Sequence, residues 1–73
     1  MPRIKRAPMD SSAVASVGYD ATIRALDVEY AGGAVYRYHP VPDRVYRQLL
    51  RAESKGRFVN AHIRDAYPFR RIA

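Results

Sequence analysis

The chain contains no cysteine, and this absence removes two classes of protein at once. No disulfide framework can form, and a metal site built on thiolates is excluded. The sequence has only two histidines, His39 and His62, which make a poor ligand set without cysteine. We therefore expect no metal site and no other cofactor.

Long hydrophobic runs are also missing. The longest apolar stretches are a few residues, whereas a membrane-spanning helix needs roughly 18. The basic start, MPRIKRAPM at 1–9, lacks the apolar segment of a signal peptide. We therefore expect a cytoplasmic protein that does not enter a membrane. A chain of 73 residues with 48% hydrophobic and 27% charged residues is typical of one small globular domain.

Acidic residues are scarce in the last thirty positions. Residues 1–43 carry five basic and five acidic groups, whose charges cancel. The whole excess of positive charge therefore lies in residues 44–73, with two acidic residues and eight basic ones: Arg44, Arg47, Arg51, Lys55, Arg57, Arg64, Arg70 and Arg71. A field of this sign attracts phosphate polymers or acidic proteins.

Turn signals and alternation predict three strands. The short oxygen side chains at 10–12 favour a turn, and the residues at 13–19 read as a strand. In the next strand, 22–30, apolar and polar residues alternate. Gly32 and Gly33 suit a type I′ hairpin, which requires positive φ at both central residues. A third strand at 34–39 completes an antiparallel meander, and residues 1–9 are expected to form a flexible basic tail.

Two helices are predicted after this sheet. Pro42 suits the first helical position of a segment at 43–55, with Gly56 as its C-terminal stop. A second short helix spans about 57–65, and Pro68 prevents its extension. The predicted core consists of Leu26, Val28, Val45, Leu49, Phe58 and Ile63. The fold class is thus α+β, a three-stranded antiparallel β-meander followed by two helices packed on one face of the sheet.

Four segments in this order resemble the KTSC domain. They are DSSAVASVGYD at 10–20, YRY at 36–38, VPDRVYRQLL at 41–50 and AESKGRFVNAHIRDAYPFRRI at 52–72. The family is named for its occurrence at the C-terminus of some lysyl-tRNA synthetases, and it also occurs as a stand-alone small protein. The resemblance implies one KTSC-like domain at 10–73, and RNA binding is the function usually suggested for the family. The chain carries no synthetase catalytic domain, so aminoacylation is not implied.

The basic residues of the first helix have two interpretations. Arg44, Arg47, Arg51 and Lys55 are spaced by three, four and four, so they line one side of the helix. They either contact phosphates or form a solvated helix face. In the segment that follows, Phe58, Ile63, Tyr67, Phe69 and Ile72 are expected to close the core, which leaves Arg57, Arg64, Arg70 and Arg71 facing outward beside this stripe.

Two smaller features have competing interpretations as well. Tyr36 and Tyr38 point to one face of their strand, where they either stack on unpaired bases or pack against the helices. We favour the core interpretation, because Leu26, Val28 and Tyr30 already mark the face that must be buried. Ser54 is expected to cap the second helix, although the same helix start is a potential anion site.

A catalytic function is the weaker hypothesis. Asn60, His62 and Asp65, together with Ser11 or Ser12, supply polar groups, but no strained nucleophile turn or oxyanion site accompanies them. We therefore expect a non-catalytic nucleic-acid-binding module, for RNA or tRNA before DNA, acting as a monomer or homodimer. The alternative is a protein-interaction or regulatory module that docks an acidic partner.

Overall fold

A computed structural model describes residues 3–73 of the chain. Within this range it contains five strands and two helices, in the order β1 (Ala7–Pro8), β2 (Val14–Asp20), β3 (Ala25–Tyr30), β4 (Val35–Tyr38), α1 (Asp43–Arg51), α2 (Lys55–His62) and β5 (Phe69–Arg71). All pairings are antiparallel, and the strands lie in the sheet in chain order. The α+β class is confirmed.

The sheet has five strands, so the predicted three-stranded meander is incomplete. After α2 the chain returns to the sheet and adds β5, in which Phe69 lies opposite Tyr38 and Arg71 opposite Tyr36. This strand has only three residues, two of them arginine, and it follows Pro68, so it lacks an alternating apolar pattern. Its position depends on the long-range pairing with β4.

The segment predicted to be a detached tail takes part in the fold. Ala7 and Pro8 pair with Val17 and Ser16 of β2, and a proline is tolerated there because β1 is an edge strand. Ile4 is only 8% exposed. Residues 4–8 of the predicted flexible basic tail over 1–9 therefore contribute to the sheet and its packing, while residues 1 and 2 lie outside the described part of the chain.

Gly18 explains how this segment approaches the sheet. A Cβ atom at this position would collide with the carbonyl oxygen of Lys5 and would lie 2.9 Å from Cγ2 of Ile4. The absent side chain lets the backbone of residues 4 and 5 lie directly on β2. The face of the sheet opposite the helices is therefore partly covered by the N-terminal segment.

Local side chains stabilise two of the turns that connect the strands, including the predicted turn at 10–12. The Ser11 hydroxyl accepts hydrogen bonds from the amides of Ala13 and Val14 at the start of β2. The Asp20 carboxylate accepts one from the Thr22 amide in the next turn. At the β3–β4 hairpin, however, only Gly33 has a positive φ, +98°, so the prediction of a type I′ turn with two such residues is wrong.

The helices cover one face of the sheet and enclose one core. Its fully enclosed members include Leu26, Val28, Val45, Leu49 and Ile63, which confirms five of the six predicted core residues. Phe58 is half-buried at the margin of this cluster. Tyr46 of α1 stacks on Tyr19 of β2 with ring centroids 4.8 Å apart, which ties the helix to its end of the sheet.

The boundary between the two helices differs from the prediction. Helix α1 ends at Arg51, and Gly56 lies inside α2 rather than stopping α1. A Cβ at Gly56 would lie 2.9 Å from the Cβ of Ala13, so the glycine permits a close approach of α2 to the start of β2. The Ser54 hydroxyl accepts a hydrogen bond from the Arg57 amide at 3.2 Å, which confirms the predicted cap.

Candidate nucleic-acid interface

The first group of predicted binding residues is a stripe of three arginines on α1, not four cations. Arg44, Arg47 and Arg51 are exposed on this helix. Arg47 also forms an ion pair with Asp43, one turn earlier, at 2.7 Å. Both side chains are largely exposed, and such pairs contribute little to stability, so Arg47 remains accessible to a phosphate.

Lys55 does not belong to this stripe. It is the first residue of α2, and its ammonium donates hydrogen bonds to the carbonyl oxygens of Leu50 at 3.0 Å and Ala52 at 2.6 Å. These carbonyls lie at the C-terminal end of α1, where cations are favourable. The sequence spacing placed Lys55 on the same helix only because α1 was predicted to be one turn too long.

The four later arginines are exposed but lie at different places. Arg57 is in the first turn of α2, and Arg64 follows the end of that helix. The two arginines of β5 point to opposite faces of the sheet, because neighbouring strand residues alternate. Arg71 shares the face of Tyr36, whereas Arg70 lies opposite Arg37 on the other face. The prediction that all four stand beside the α1 stripe is therefore wrong.

The two tyrosines of β4 have different environments. Tyr38 is 1% exposed and belongs to the core, as predicted. Tyr36 is only half-buried, and its ring stacks on Phe69 with centroids 5.4 Å apart and planes 16° apart. Tyr30 meets Tyr36 edge to face at 5.7 Å and 88°. An aromatic surface thus extends outward from the core at the β5 side of the sheet.

Phe69 is the main residue whose role the sequence interpretation missed. It was expected to close the core, but 58% of it is exposed. The only local signal was its position between Pro68 and two arginines, where a buried residue is unusual. Its exposure follows from β5, since the strand places Phe69 at the outer edge of the sheet beyond Tyr38.

These rings form one side of a pocket with polar residues at its rim. We call it the aromatic pocket, a depression of about 500 Å³ lined by Tyr30, Ala34, Tyr36, Tyr38, Arg64, Asp65 and Phe69. The pocket combines exposed ring surface, a cation and a carboxylate. Such a combination can stack a planar group and contact a charged one at the same time.

Two tyrosines that line the aromatic pocket, Tyr30 and Tyr38, form a hydroxyl pair. The phenolic oxygens of Tyr30 and Tyr38 are 2.6 Å apart, a hydrogen-bonding distance. Burial raises the pKa of Tyr38 well above its usual value, and the hydrogen bond with Tyr30 raises it further. Both effects favour the neutral phenol, which can donate or accept a hydrogen bond at neutral pH.

A cluster of polar and charged side chains lies on the face of the sheet opposite the helices. Asp27 and Arg37 form a buried ion pair, with Arg37 Nε 2.7 Å from Asp27 Oδ1. Beside it, the Ser16 hydroxyl donates to Glu29 at 2.8 Å and accepts from Arg6 Nε at 3.0 Å. An open cleft next to these residues is bordered by the N-terminal segment and by Ile72 and Ala73. The charges there are largely matched within the protein.

Two residues of the catalytic hypothesis have structural contacts of their own. The Ser11 hydroxyl accepts backbone hydrogen bonds at the start of β2, and His62 is exposed with its ring 4.8 Å from that of Phe58. Among residues 3–73, no group of three or more histidine or acidic side chains is placed to hold a metal ion. Neither helix in this range is long and apolar enough to cross a membrane.

Comparisons with known proteins agree with this fold. A crystal structure of a KTSC domain protein from Yersinia pestis superimposes with a TM-score of 0.91 and 35% identity, covering 97% of this chain and 100% of that one. A protein of Tsukamurella paurometabola is 44% identical over 60 residues, which are 82% of this chain and 90% of the relative. A lysine–tRNA ligase of Trichormus variabilis is 28% identical over 64 residues, 88% of this chain but only 11% of the ligase.

The family model for the KTSC domain matches residues 10–67. The match covers most of the chain and includes β2, β3, β4 and both helices. The chain therefore belongs to the KTSC domain family.

Proposed function

We propose that this domain is a non-catalytic module that binds single-stranded RNA, with the aromatic pocket as the centre of its binding surface. The observation that carries the proposal is the exposed ring of Phe69, stacked on Tyr36 beside Arg64. Stacking of an unpaired base on such a ring is worth about 1–3 kcal/mol. We also propose that the protein is located in the cytoplasm.

The aromatic pocket supplies a contact that the basic stripe alone cannot. Arginines on a helix attract any phosphate polymer and carry no base information. An exposed aromatic ring on the binding surface favours unpaired nucleotides, because bases in a duplex are already stacked on each other. The combination of Phe69 with Arg64 and Arg71 therefore favours single strands, loops and ends over intact duplex.

The distribution of arginines supports a path for the polymer. Arg64 lines the aromatic pocket, and Arg71 lies opposite Tyr36 on the same face of the sheet, where its Nε donates to the Ala73 carbonyl oxygen. Arg44, Arg47 and Arg51 lie along α1. A strand anchored by one base in the aromatic pocket would contact the first pair, and the three helical arginines are candidates for the phosphates farther along. Lys55 is not part of this surface, because its ammonium already donates hydrogen bonds to carbonyl oxygens at the C-terminal end of α1.

The choice of RNA over DNA rests on the relatives. A segment similar to this chain occurs in lysine–tRNA ligases of Trichormus variabilis and of a Nostoc species, enzymes whose names state a tRNA substrate. The similarity covers 11% of each ligase. It supports an RNA ligand for this domain, and tRNA loops and ends offer the unpaired bases that the aromatic pocket requires.

The test is fluorescence anisotropy of labelled single-stranded RNA and tRNA, measured over a salt series. Phe69→Ala is expected to weaken binding by about 5- to 150-fold, the equivalent of one lost base stack. Leu50→Ala is the matched control, because Leu50 is also a large apolar side chain, 42% exposed, but lies on α1. Circular dichroism checks that both variants remain folded.

The arginines are tested by the salt dependence of the same binding curves. Each phosphate contact on a single strand contributes about 0.7 to the slope of log affinity against log salt. Arg64→Gln should therefore flatten the slope by about 0.7, and Arg47→Gln with Arg51→Gln by about 1.4. An unchanged slope in the double variant would limit the interface to the aromatic pocket and its neighbours.

Absence of RNA binding by the wild-type protein at low salt would overturn the proposal. Equal affinities of wild type and Phe69→Ala would also contradict it, because the aromatic pocket would then have no part in binding. A pull-down with and without nuclease treatment separates the alternative function. Recovery of RNA supports the proposal, whereas a nuclease-resistant acidic protein partner would favour an interaction or regulatory module.

A further inference from the structure

We infer that the aromatic pocket selects an unpaired guanine base. The inference rests on the proposed RNA-binding function and adds a base preference to it. It starts from Asp65, which lines the aromatic pocket and is exposed. Its carboxylate forms no ion pair or side-chain hydrogen bond with any other residue that the structure describes, although Arg64 is its neighbour in sequence.

An acidic side chain is unfavourable on a surface that contacts phosphates. The domain has a net charge of +6, and only two acidic residues lie in its last thirty positions. One of these two lines the aromatic pocket. A carboxylate repels the backbone of a nucleic acid, but it accepts hydrogen bonds from the donor groups of a base edge. Asp65 is therefore placed to contact the base, while Arg64 and Arg71 contact the backbone.

The hydroxyl pair of Tyr30 and Tyr38 supplies a hydrogen-bond donor to the aromatic pocket. If Tyr30 donated to Tyr38, the buried Tyr38 hydroxyl hydrogen would have no acceptor among the described residues, which is costly. Tyr38 is therefore the donor, and the hydrogen of the half-buried Tyr30 hydroxyl is left to point into the aromatic pocket. The pocket thus offers one neutral donor and one two-oxygen acceptor.

Guanine is the base whose Watson–Crick edge complements these groups. Its O6 accepts a hydrogen bond, and its N1–H and N2–H groups lie side by side as donors. A carboxylate can accept both donors with its two oxygens, in the way it accepts a bidentate arginine. Adenine, cytosine and uracil each present at most one donor group on this edge, flanked by acceptors that a carboxylate repels. Stacking on Phe69 alone would hold any of the four bases.

The experiment measures the base preference with four RNA probes. Each is a labelled oligouridine that carries one central guanosine, adenosine, cytidine or inosine, and anisotropy is read at one fixed salt concentration. The guanosine probe should bind about 5- to 150-fold more tightly than the adenosine and cytidine probes, the range of one bidentate contact. Inosine lacks the 2-amino group and should fall between them.

Substitutions in the aromatic pocket test whether Asp65 and Tyr30 cause the preference for guanosine. Asp65→Asn should reduce the guanosine preference to the part that the Tyr30 hydroxyl provides, without weakening binding to the adenosine probe, since it removes a negative charge. Asp65→Asn combined with Tyr30→Phe should bring the affinities for all four probes to within about twofold. Tyr30→Phe should reduce only the affinity for probes that carry O6, guanosine and inosine. Glu53→Gln removes the other acidic group of residues 44–73, which does not line the aromatic pocket, and it should keep the full guanosine preference.

The outcomes separate this inference from the proposed function. If all four probes bind alike and Phe69→Ala weakens each of them, the guanine preference is wrong while RNA binding stands. If no probe binds, both are wrong. Competition with free guanosine monophosphate tests whether the pocket binds a free nucleotide or a guanosine within RNA. If it displaces the guanosine probe at the dissociation constant of that probe, the ligand is a mononucleotide and the preference within RNA is overturned.

Discussion

Asp27 and Arg37 face each other across β3 and β4 and form a buried ion pair on the side of the sheet away from the helices. Two hydrogen bonds join them, from Arg37 Nε to Asp27 Oδ1 at 2.7 Å and from Nη2 to Oδ2 at 3.0 Å. This bidentate geometry matches the guanidinium to the carboxylate.

Removing one partner of this pair should be strongly destabilising. Arg37→Met leaves the Asp27 carboxylate buried without its counter-charge and should lower the free energy of unfolding by about 3–5 kcal/mol. The combined Asp27→Leu and Arg37→Met variant should be more stable than the single variant, since no lone charge remains. Denaturant unfolding measures both. A double variant less stable than Arg37→Met would show that the ion pair is not the reason for the loss.

Truncation of two adjacent leucines of α1 should change the free energy of unfolding by very different amounts. Leu49 is fully buried in the core, whereas Leu50 is 42% exposed. Leu49→Ala should cost roughly 2–5 kcal/mol, which approaches the whole stability of a small domain. Leu50→Ala should change the free energy of unfolding by no more than about 0.5 kcal/mol. Thermal melts of the two variants test the register of α1, and similar melting temperatures would contradict it.

Gly18→Ala should detach the N-terminal segment from the sheet. The added methyl group would collide with the Lys5 carbonyl and approach Ile4, so either the segment moves away or the core is strained by about 1–3 kcal/mol. Hydrogen exchange of the amides at 4–8 should become faster in this variant. Gly32→Ala is the control, because nothing lies within 4 Å of a Cβ there. Unchanged exchange together with unchanged stability in Gly18→Ala would contradict the placement of residues 4 and 5.

Stability should fall as the pH rises above about 10, the pKa of an ordinary tyrosine. Burial raises the pKa of Tyr38, Tyr19 and Tyr46, so the folded state keeps phenolic protons that the unfolded chain has released. Stability from this source is fully present below the unfolded pKa and is lost as the pH rises toward the folded pKa. One such group contributes a slope of up to about 1.4 kcal/mol per pH unit.

Tyr38→Phe isolates the largest of these effects. Its free energy of unfolding should depend less steeply on pH between about 10 and 11 than that of the wild-type protein. Denaturant unfolding at pH 8, 10 and 11, chosen around the pKa of tyrosine, gives both slopes. The comparison uses slopes rather than absolute stabilities, because the substitution also removes the hydroxyl pair with Tyr30. Identical slopes would mean that Tyr38 titrates normally in the folded state.

Several features of this protein were determined by local sequence. Alternating residues placed Leu26 and Val28 on the buried face of a strand, and helical spacing placed Val45 and Leu49 in the same core. Ser54 capped the second helix as predicted, because an N-cap needs only an oxygen side chain and the next turn of backbone. The concentration of positive charge in residues 44–73 also follows from sequence alone. In each case the relevant physics acts within one element or between neighbouring turns.

The aromatic pocket and the covered outer face were decided only by tertiary structure. The exposure of Phe69 depends on β5 pairing with β4, a contact between residues about thirty positions apart with no alternating pattern to indicate it. The same strand separates Arg70 from Arg71, which local charge had grouped together. Likewise, Gly18 matters because residues 4 and 5 return across β2. These contacts join segments that are distant in sequence, and they form only when the whole chain packs, so no short segment of the sequence could indicate them.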